Sequence, residues 1–173
     1  LRKGTASGYS PRMRLDLIVN TMFKSAVRDR AITVNNPSIW RPIVSVADAA
    51  NAYVRAVEAN ERISGIFNVA SGNYTVGETA DLVRAAVEDL LGIRVALEIK
   101  YIRDLRNYKV SIERAKNVLS FHPNHNVKSI VVDLVEHLEL FQDWDNPVYY
   151  NILTLKVLAA KGSVHSYAVG ATS

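Results

Sequence analysis

The sequence of 173 residues contains no cysteine, which excludes disulfide scaffolds, thiolate zinc sites and cysteine nucleophiles. It also lacks an uninterrupted apolar run of about 18 residues or more, so it predicts no membrane span and no membrane partner. Residues 1–10 include no apolar core of the kind that secretory leaders carry. Together these absences predict a cytoplasmic protein.

Aromatic residues are scarce, at 8% of the chain, and they are not interleaved with lysine and arginine. Proteins that stack nucleic-acid bases need such interleaving, so the sequence argues against a nucleic-acid partner. The net charge of +4 is unevenly distributed. Basic side chains concentrate at residues 1–30 and 91–128, and two such segments folded side by side would form a pocket that attracts a polyanion.

Histidine is the remaining candidate metal ligand, and it occurs at positions 122, 125, 137 and 165. His122 and His125 fall in a predicted turn, but no carboxylate stands beside them at ligand spacing. The sequence therefore predicts no metal site.

Hydrophobic periodicity predicts strands and helices that alternate along the chain with short connections. The predicted strands lie at 32–34, 42–46, 66–69 and 95–102, and the predicted helices at 13–28, 48–59, 76–91, 111–119 and 127–141. Such alternation is typical of an α/β fold. We expect a domain over 1–145 and a partly mobile tail over 146–173, in which 161–173 is rich in small residues.

A doubly wound nucleotide-binding domain carries a Gly-rich turn between its first strand and helix. No GxGxxG or GxxGxxG occurs in this sequence. The chain therefore lacks the motif that would receive a dinucleotide.

Four stretches in order carry a resemblance to a known family. They are LRKGTASGYSPRMRLDLIVN, RPIVSVADAANAYVRAVE, IFNVASGNYTVGETADLV and DLRNYKVSIERAKNVLSFHP. Together they resemble the C-terminal half of the extended short-chain dehydrogenases/reductases, the NAD-dependent nucleotide-sugar epimerases and dehydratases. The resemblance covers about residues 1–142, and the order and spacing of the stretches agree with the family's.

This resemblance implies the C-terminal part of a Rossmann-type reductase that lacks its N-terminal dinucleotide-binding half. NAD(P) would be the cofactor of the parent protein, bound mainly by that half, so this chain would be non-catalytic alone and would contain no cofactor-binding or catalytic residue. Residues 1–3 and 66–69 would be late strands of the shared sheet. Exposed strand edges promote association, so the expected partners are the N-terminal half, a nucleotide-diphosphate sugar and a second copy in a homodimer.

By the same resemblance, Arg41 would contact the diphosphate of the nucleotide sugar, and Arg106 would reach its nucleotide end. A guanidinium fork presents paired donors that match phosphate oxygens, and Arg41 stands at the start of the strand that Pro42 stiffens. The alternatives are that Arg41 is an ordinary surface arginine and that Arg106 forms a surface pair with Asp104. If one diphosphate-linked ligand serves both arginines, the two must open onto the same cleft.

Weaker candidates for substrate contact lie in the first predicted helix. Arg12 and Arg14 would stand in its first turn, where the helix dipole favours anions, although a solvated arginine there is common. Asn20 would follow two turns later. Asp48 is interpreted instead as the N-cap of helix 48–59.

The sequence departs from the family pattern at three positions. Lys3 replaces an aromatic residue or asparagine, Ser7 stands where the family has tyrosine before glycine, and Ser45 stands where many members have histidine or tyrosine. These departures leave the substrate's identity open. They also leave open two other hypotheses: a non-catalytic superfamily member that acts as an RNA-binding or assembly subunit, and a free-standing interaction domain.

Overall fold

The structure is a computed structural model that describes residues 1–103 and 106–160. Within these ranges the strands are β1 (Arg2–Lys3), β2 (Thr5–Ser7), β3 (Ala31–Asn35), β4 (Trp40–Ser45), β5 (Asn68–Val69), β6 (Gly72–Thr75) and β7 (Ala96–Lys100). The helices are α1 (Ile18–Asp29), α2 (Val46–Glu58), α3 (Val76–Leu91), α4 (Glu113–Leu119), α5 (Val127–Glu136) and α6 (Asn151–Ala160). The predicted α/β class is confirmed.

The described strands form three small sheets. β4 lies between β2, which is parallel to it, and β6, which is antiparallel. β1 pairs in parallel with β5, and β3 pairs in parallel with β7. Parallel pairing between strands so distant in sequence requires helical crossovers, and α1, α2 and α3 provide them.

Two hydrophobic clusters hold these layers together. The larger is built where α1, α3 and α5 pack on β3 and on part of β4, around side chains such as Phe23, Ile32, Val83 and Leu134. The smaller lies between α2, α4 and β5 and includes Phe67 and Phe121. β4 contributes Ile43 to the larger cluster and Val44 to the smaller, because successive strand residues face opposite sides.

The first helix begins at Ile18 rather than near residue 13, so the predicted start is wrong. The preceding backbone has partners outside a helix. The Leu15 N–H donates to the Tyr149 carbonyl at 3.1 Å, and the Thr21 hydroxyl donates to the Leu15 carbonyl at 2.5 Å. These bonds hold residues 13–17 as an irregular segment that ends at the cap residue Leu17.

The third helix follows its sequence signals closely. Thr75 and Glu78 form a reciprocal capping box at its start, and the predicted range of 76–91 matches the helix. Gly92 closes it at φ +65°, a left-handed conformation that glycine adopts without strain. The predicted helix at 127–141 instead ends at Glu136 and continues as a 3-10 turn, Leu138–Phe141.

Packing extends past residue 145, where the sequence placed the start of the tail. Tyr149 is buried in the larger cluster, and α6 follows it. None of the described side chains of α6 is buried, although five of its residues are large and apolar: Ile152, Leu153, Leu155, Val157 and Leu158. The expectation of a mobile segment at 161–173 lies outside the described residues. Over 1–103 and 106–160, no helix has the length and apolarity needed to cross a membrane.

Candidate functional site

A cleft of about 320 Å³ opens where the starts of β2, β4 and α1 meet the end of β3 and the segment after β7. Arg41 and Arg106 both line it, with Thr5, Asn35 and Ile102 among the other lining residues. The sequence places the two arginines 65 residues apart, and only the fold brings them together. The condition that both arginines open onto one cleft is therefore met.

Arg41 is the second residue of β4, where the antiparallel pairing with Tyr74 fixes its backbone. Its guanidinium group donates to the Trp40 carbonyl at 3.0 Å and to the main-chain carbonyl of Arg106. Arg41 therefore lines the cleft and also binds the backbone of the segment that carries the second arginine. The alternative pairing of Arg106 with Asp104 lies outside the described residues.

Two asparagines fix the ends of the segment that carries Arg106. The Asn36 side chain donates to the Ile102 carbonyl at 2.7 Å and accepts from its N–H at 3.0 Å. The Asn73 side chain makes the same pair of bonds with Val110, both at 2.9 Å. An asparagine amide can satisfy both groups of one peptide residue in this way, so the segment is attached to the sheet at both ends.

The middle of the same segment is attached at the start of β4. The Trp40 N–H donates to the Asn107 side chain at 2.9 Å, and the Tyr108 N–H donates to the Trp40 carbonyl at 3.4 Å. The Lys109 ammonium lies 3.4 Å from the centre of the Trp40 ring, an arrangement in which a cation is attracted to the ring face. Nothing in the sequence indicated these contacts, because an asparagine in a loop gives no sign of its partner.

The start of α1 adds a further feature that attracts anions. Leu17 and Ile18 line the cleft, and among the described residues no side chain caps this helix start. The first N–H groups of a helix carry a partial positive charge and lack intrahelical partners. Asp16 also lines the cleft, but Arg14 forms an ion pair with it at 2.8 Å. Hydrogen bonding from Arg14 keeps the pKa of Asp16 below its ordinary value.

The two weaker arginine candidates do not stand in a helical first turn, as the sequence predicted, because α1 begins after them. Arg14 binds Asp16, which lines the cleft. Arg12 is exposed in the turn that follows Ser10. Neither appears among the residues described as lining the cleft.

Asn20 is buried, with 1% of its surface exposed. Its side chain accepts from the Gly8 N–H at 3.0 Å and donates to the carbonyls of Gly8 and Arg14 at 3.3 and 3.1 Å. These bonds tie the turn after β2 to α1. The structure thus shows a structural role for Asn20, and its substrate contact stays a prediction.

Asp48 occupies the third position of α2 and is not its N-cap, so that prediction is wrong. Ser45 is the cap, and its side chain accepts from the Asp48 N–H at 2.9 Å. The Asp48 carboxylate, 2% exposed, accepts from the Ser71 hydroxyl at 2.5 Å. It also accepts from the N–H groups of Asn124 and His125 at 3.0 and 3.2 Å.

These contacts set the charge state of Asp48. Burial by itself would raise the pKa of its carboxyl group, but the hydrogen bonds from Ser71, Asn124 and His125 together outweigh burial. The pKa of Asp48 therefore lies below its ordinary value of 3.8. The carboxylate joins α2 to the turn before α5, and its long-range partners gave no signal in the sequence.

The described residues do not group into a metal site. Among residues 1–103 and 106–160, no three His, Asp or Glu side chains group closely enough to hold a metal ion. The sequence has no Gly-rich turn that would receive a pyrophosphate at a helix start.

No protein-family model matches the chain. Solved structures do match its fold. An epimerase from Methanothermobacter thermautotrophicus aligns with a TM-score of 0.68 and 17% identity, over 82% of this chain and 44% of the other. UDP-glucuronic acid 4-epimerase from Bacillus cereus, in complex with UDP-glucuronic acid and NAD, aligns with a TM-score of 0.62 and 16% identity, over 80% and 44%.

A third similar structure is dTDP-glucose 4,6-dehydratase from Bacillus anthracis in complex with NAD, with a TM-score of 0.62 and 16% identity over 88% of this chain and 46% of the other. The chain thus spans less than half the length of the structures it matches. At this level of identity the likeness concerns the fold, and for the fold the resemblance seen in the sequence is confirmed. The chain has the α/β fold of the Rossmann-type epimerases and dehydratases, over less than half of their length.

Proposed function

We propose that the cleft between Arg41 and Arg106 binds the diphosphate of a nucleotide sugar. In this proposal the chain is the substrate-binding portion of an NAD-dependent sugar epimerase or dehydratase and is not catalytic alone. The observation that carries it is the convergence of the two arginines on one cleft of about 320 Å³. That volume lies within the range of small-molecule sites, roughly 300–1,000 Å³.

The electrostatics of the cleft support an anionic ligand. Two arginines and an uncapped helix start line the cleft, and the lining carboxylate of Asp16 is paired with Arg14. Guanidinium groups donate paired hydrogen bonds to phosphate oxygens. Helix starts bind phosphates with their free N–H groups. One diphosphate offers enough oxygen atoms to accept hydrogen bonds from both the guanidinium groups and the helix start.

The attachment of the segment around Arg106 supports the same function. Asn36 and Asn73 bind backbone groups of this segment, and Asn107, within the segment, accepts from the Trp40 N–H of β4. A binding side chain held on a fixed backbone loses less conformational freedom when the ligand arrives. We infer that these asparagines position Arg106 for its ligand.

Similar structures were solved with a nucleotide sugar and a dinucleotide, such as the Bacillus cereus epimerase with UDP-glucuronic acid and NAD. We propose that a complete protein containing this chain binds NAD(P) mainly through a portion outside this sequence. β1 and β5 would pair with strands of that portion, since among the described strands they pair only with each other. A homodimer of the complete protein is part of the same proposal.

Calorimetric titration with UDP-glucuronic acid tests the proposed ligand. The 173-residue chain should bind it, and Arg106→Ala should weaken binding by about 10-fold or more, because each charge-assisted hydrogen bond contributes roughly 1.5–3 kcal/mol. Arg62→Ala is the matched control, since Arg62 lies in the exposed turn after α2. Equal losses in both variants, or no binding by the wild-type chain, would overturn the proposal.

A further inference from the structure

β7 is an edge strand, since among the described strands it pairs only with β3. The Ala96 N–H donates to the Arg30 carbonyl at 2.9 Å, and the Lys100 carbonyl accepts from the Asn36 N–H at 2.8 Å. The Asn36 side chain then binds both backbone groups of Ile102. Every second residue from 96 to 102 therefore directs its backbone groups towards β3.

The intervening residues, Leu97, Ile99 and Tyr101, direct their N–H and C=O groups to the outer edge, because successive strand residues point these groups to opposite sides. Such a row of donors and acceptors is a template for a further strand. Proteins commonly protect a strand edge with proline, and residues 96–102 include none. The outer edge of β7 is therefore able to pair.

The side chains along this edge are apolar. Ile99 is 60% exposed and Tyr101 is 81% exposed. The parallel register places Leu97 beside Ile32 and Ile99 beside Val34, and both β3 residues are buried in the larger hydrophobic cluster, under α1 and α3. Directly paired residues share a face of the sheet. The hydrophobic face of β3 thus continues across β7 and reaches solvent at Ile99.

The sequence of β7 is complementary to itself when two copies run antiparallel and are centred on Ile99. In that register Ile99 lies opposite Ile99 of the second copy, and Leu97 lies opposite Tyr101. Glu98 lies opposite Lys100, and the symmetry repeats this pair of opposite charges. The backbone groups that point outward in one copy meet those that point outward in the other, as an antiparallel ladder requires.

The neighbouring symmetric registers are less favourable. A pair centred on Glu98 would set two glutamates opposite each other, and a pair centred on Lys100 would set two lysines opposite each other. Like charges directly opposite are destabilising. A pair centred between two residues would set outward-directed groups against inward-directed ones, which breaks the ladder. Charge and backbone direction therefore favour the same register.

We propose that the β7 strands of two copies pair antiparallel about Ile99 and join their β3–β7 sheets across a two-fold axis. The partner is a second copy because the symmetric register pairs both charges of each strand and covers both exposed Ile99 side chains. This inference rests on the homodimer proposed above and assigns its interface. It does not depend on which ligand the cleft binds.

Charge exchange tests the register. Analytical ultracentrifugation of the 173-residue chain should show a monomer–dimer equilibrium. Glu98→Lys and Lys100→Glu should each weaken dimerisation by about 5-fold or more, because each sets like charges opposite each other at both symmetric pairs. The double variant Glu98→Lys/Lys100→Glu should restore the wild-type dissociation constant. Glu61→Lys, in the exposed turn after α2, is the matched control and should leave it unchanged.

Hydrogen exchange locates the interface. The Ile99 and Tyr101 amides should exchange more slowly as the protein concentration rises, because only the dimer gives them acceptors. The Glu98 amide points towards β3 and should change little.

A monomeric wild-type chain, or a double variant as weak as the single ones, would overturn the proposal. A dimer in which the Ile99 amide stays unprotected would show that another surface joins the copies, which would overturn the assigned interface. Calorimetry with UDP-glucuronic acid tests the cleft separately, so failure of the ligand and failure of the interface are distinguishable.

Discussion

The guanidinium group of Arg41 donates a hydrogen bond to the main-chain carbonyl oxygen of Arg106, 65 residues further along the chain. One side chain thus lines the cleft and also holds the backbone that presents its second arginine. Loss of Arg41 should therefore have two consequences, one for the ligand and one for the position of Arg106.

Arg41→Lys tests whether the ligand is bound by the positive charge of Arg41 alone or also by the planar arrangement of its donors. Lysine keeps the positive charge but cannot donate in a planar fork, so it should fail to hold both the Arg106 carbonyl and two phosphate oxygens. We expect UDP-glucuronic acid to bind about 10-fold more weakly to Arg41→Lys than to the wild type, measured by calorimetry. Arg41→Ala should lose more, and affinity retained in full by the lysine variant would show that charge alone suffices.

Asn73→Ala tests the attachment of the segment that carries Arg106. The variant loses two hydrogen bonds to Val110, so the free energy of unfolding should fall by about 1–3 kcal/mol. Hydrogen exchange at the Val110 amide should accelerate. Asn117→Ala, at an exposed position of α4, is the control and should change neither quantity measurably. Unchanged exchange at Val110 would contradict the assigned role.

Asn20→Ala distinguishes a structural role from a ligand contact. The variant leaves the buried Gly8 N–H without its acceptor, and we expect a loss of about 1–3 kcal/mol in the free energy of unfolding. The affinity of the remaining folded protein for UDP-glucuronic acid should stay within about 2-fold. If Asn20→Ala kept normal stability and lost affinity, Asn20 would instead be the substrate contact predicted from the sequence.

Asp48→Asn should lower the free energy of unfolding by about 2–4 kcal/mol at pH 7, because it removes a buried carboxylate that accepts several hydrogen bonds. The pKa of Asp48 is lowered in the folded state. Its contribution is therefore complete above the unfolded pKa of about 4 and is lost as the pH falls through the folded value. Urea unfolding at pH 7, 5, 4 and 3 should show the difference between wild type and variant shrinking below about pH 4.

The matched control for that series is Asp81→Asn. Asp81 forms an exposed pair with Arg84 on α3, and such pairs contribute roughly 0–1 kcal/mol. A pH dependence equally large in both variants would mean that Asp48 is not the group responsible.

Much of the local structure could be predicted from the sequence. The Thr75–Glu78 capping box and Gly92 cap the two ends of one helix, so their signals are short in range. The roles of Asn20 and Asp48 could not be predicted, because the partners of Asp48 at Asn124 and His125 lie 76 and 77 residues away. A residue's role as cap depends on where the preceding strand ends, and that is set by tertiary pairing.

The candidate cleft could be predicted only in part. Resemblance singled out Arg41 and Arg106, and their shared cleft followed from the requirement of one ligand. The asparagines that attach the second arginine pair with backbone groups 37 to 67 residues away. No local pattern carries such information, because any exposed asparagine in a turn has the same sequence signature.

The central claim, that Arg41 and Arg106 bind a diphosphate, is tested most directly by comparing UDP with uridine. The arginine side-chain N–H signals of the 173-residue chain are followed by NMR during each titration. UDP should shift the signals of Arg41 and Arg106 in a saturable manner, and uridine should not, because only UDP carries the phosphates. Equal shifts with both compounds, or UDP shifts confined to other arginines, would contradict the account.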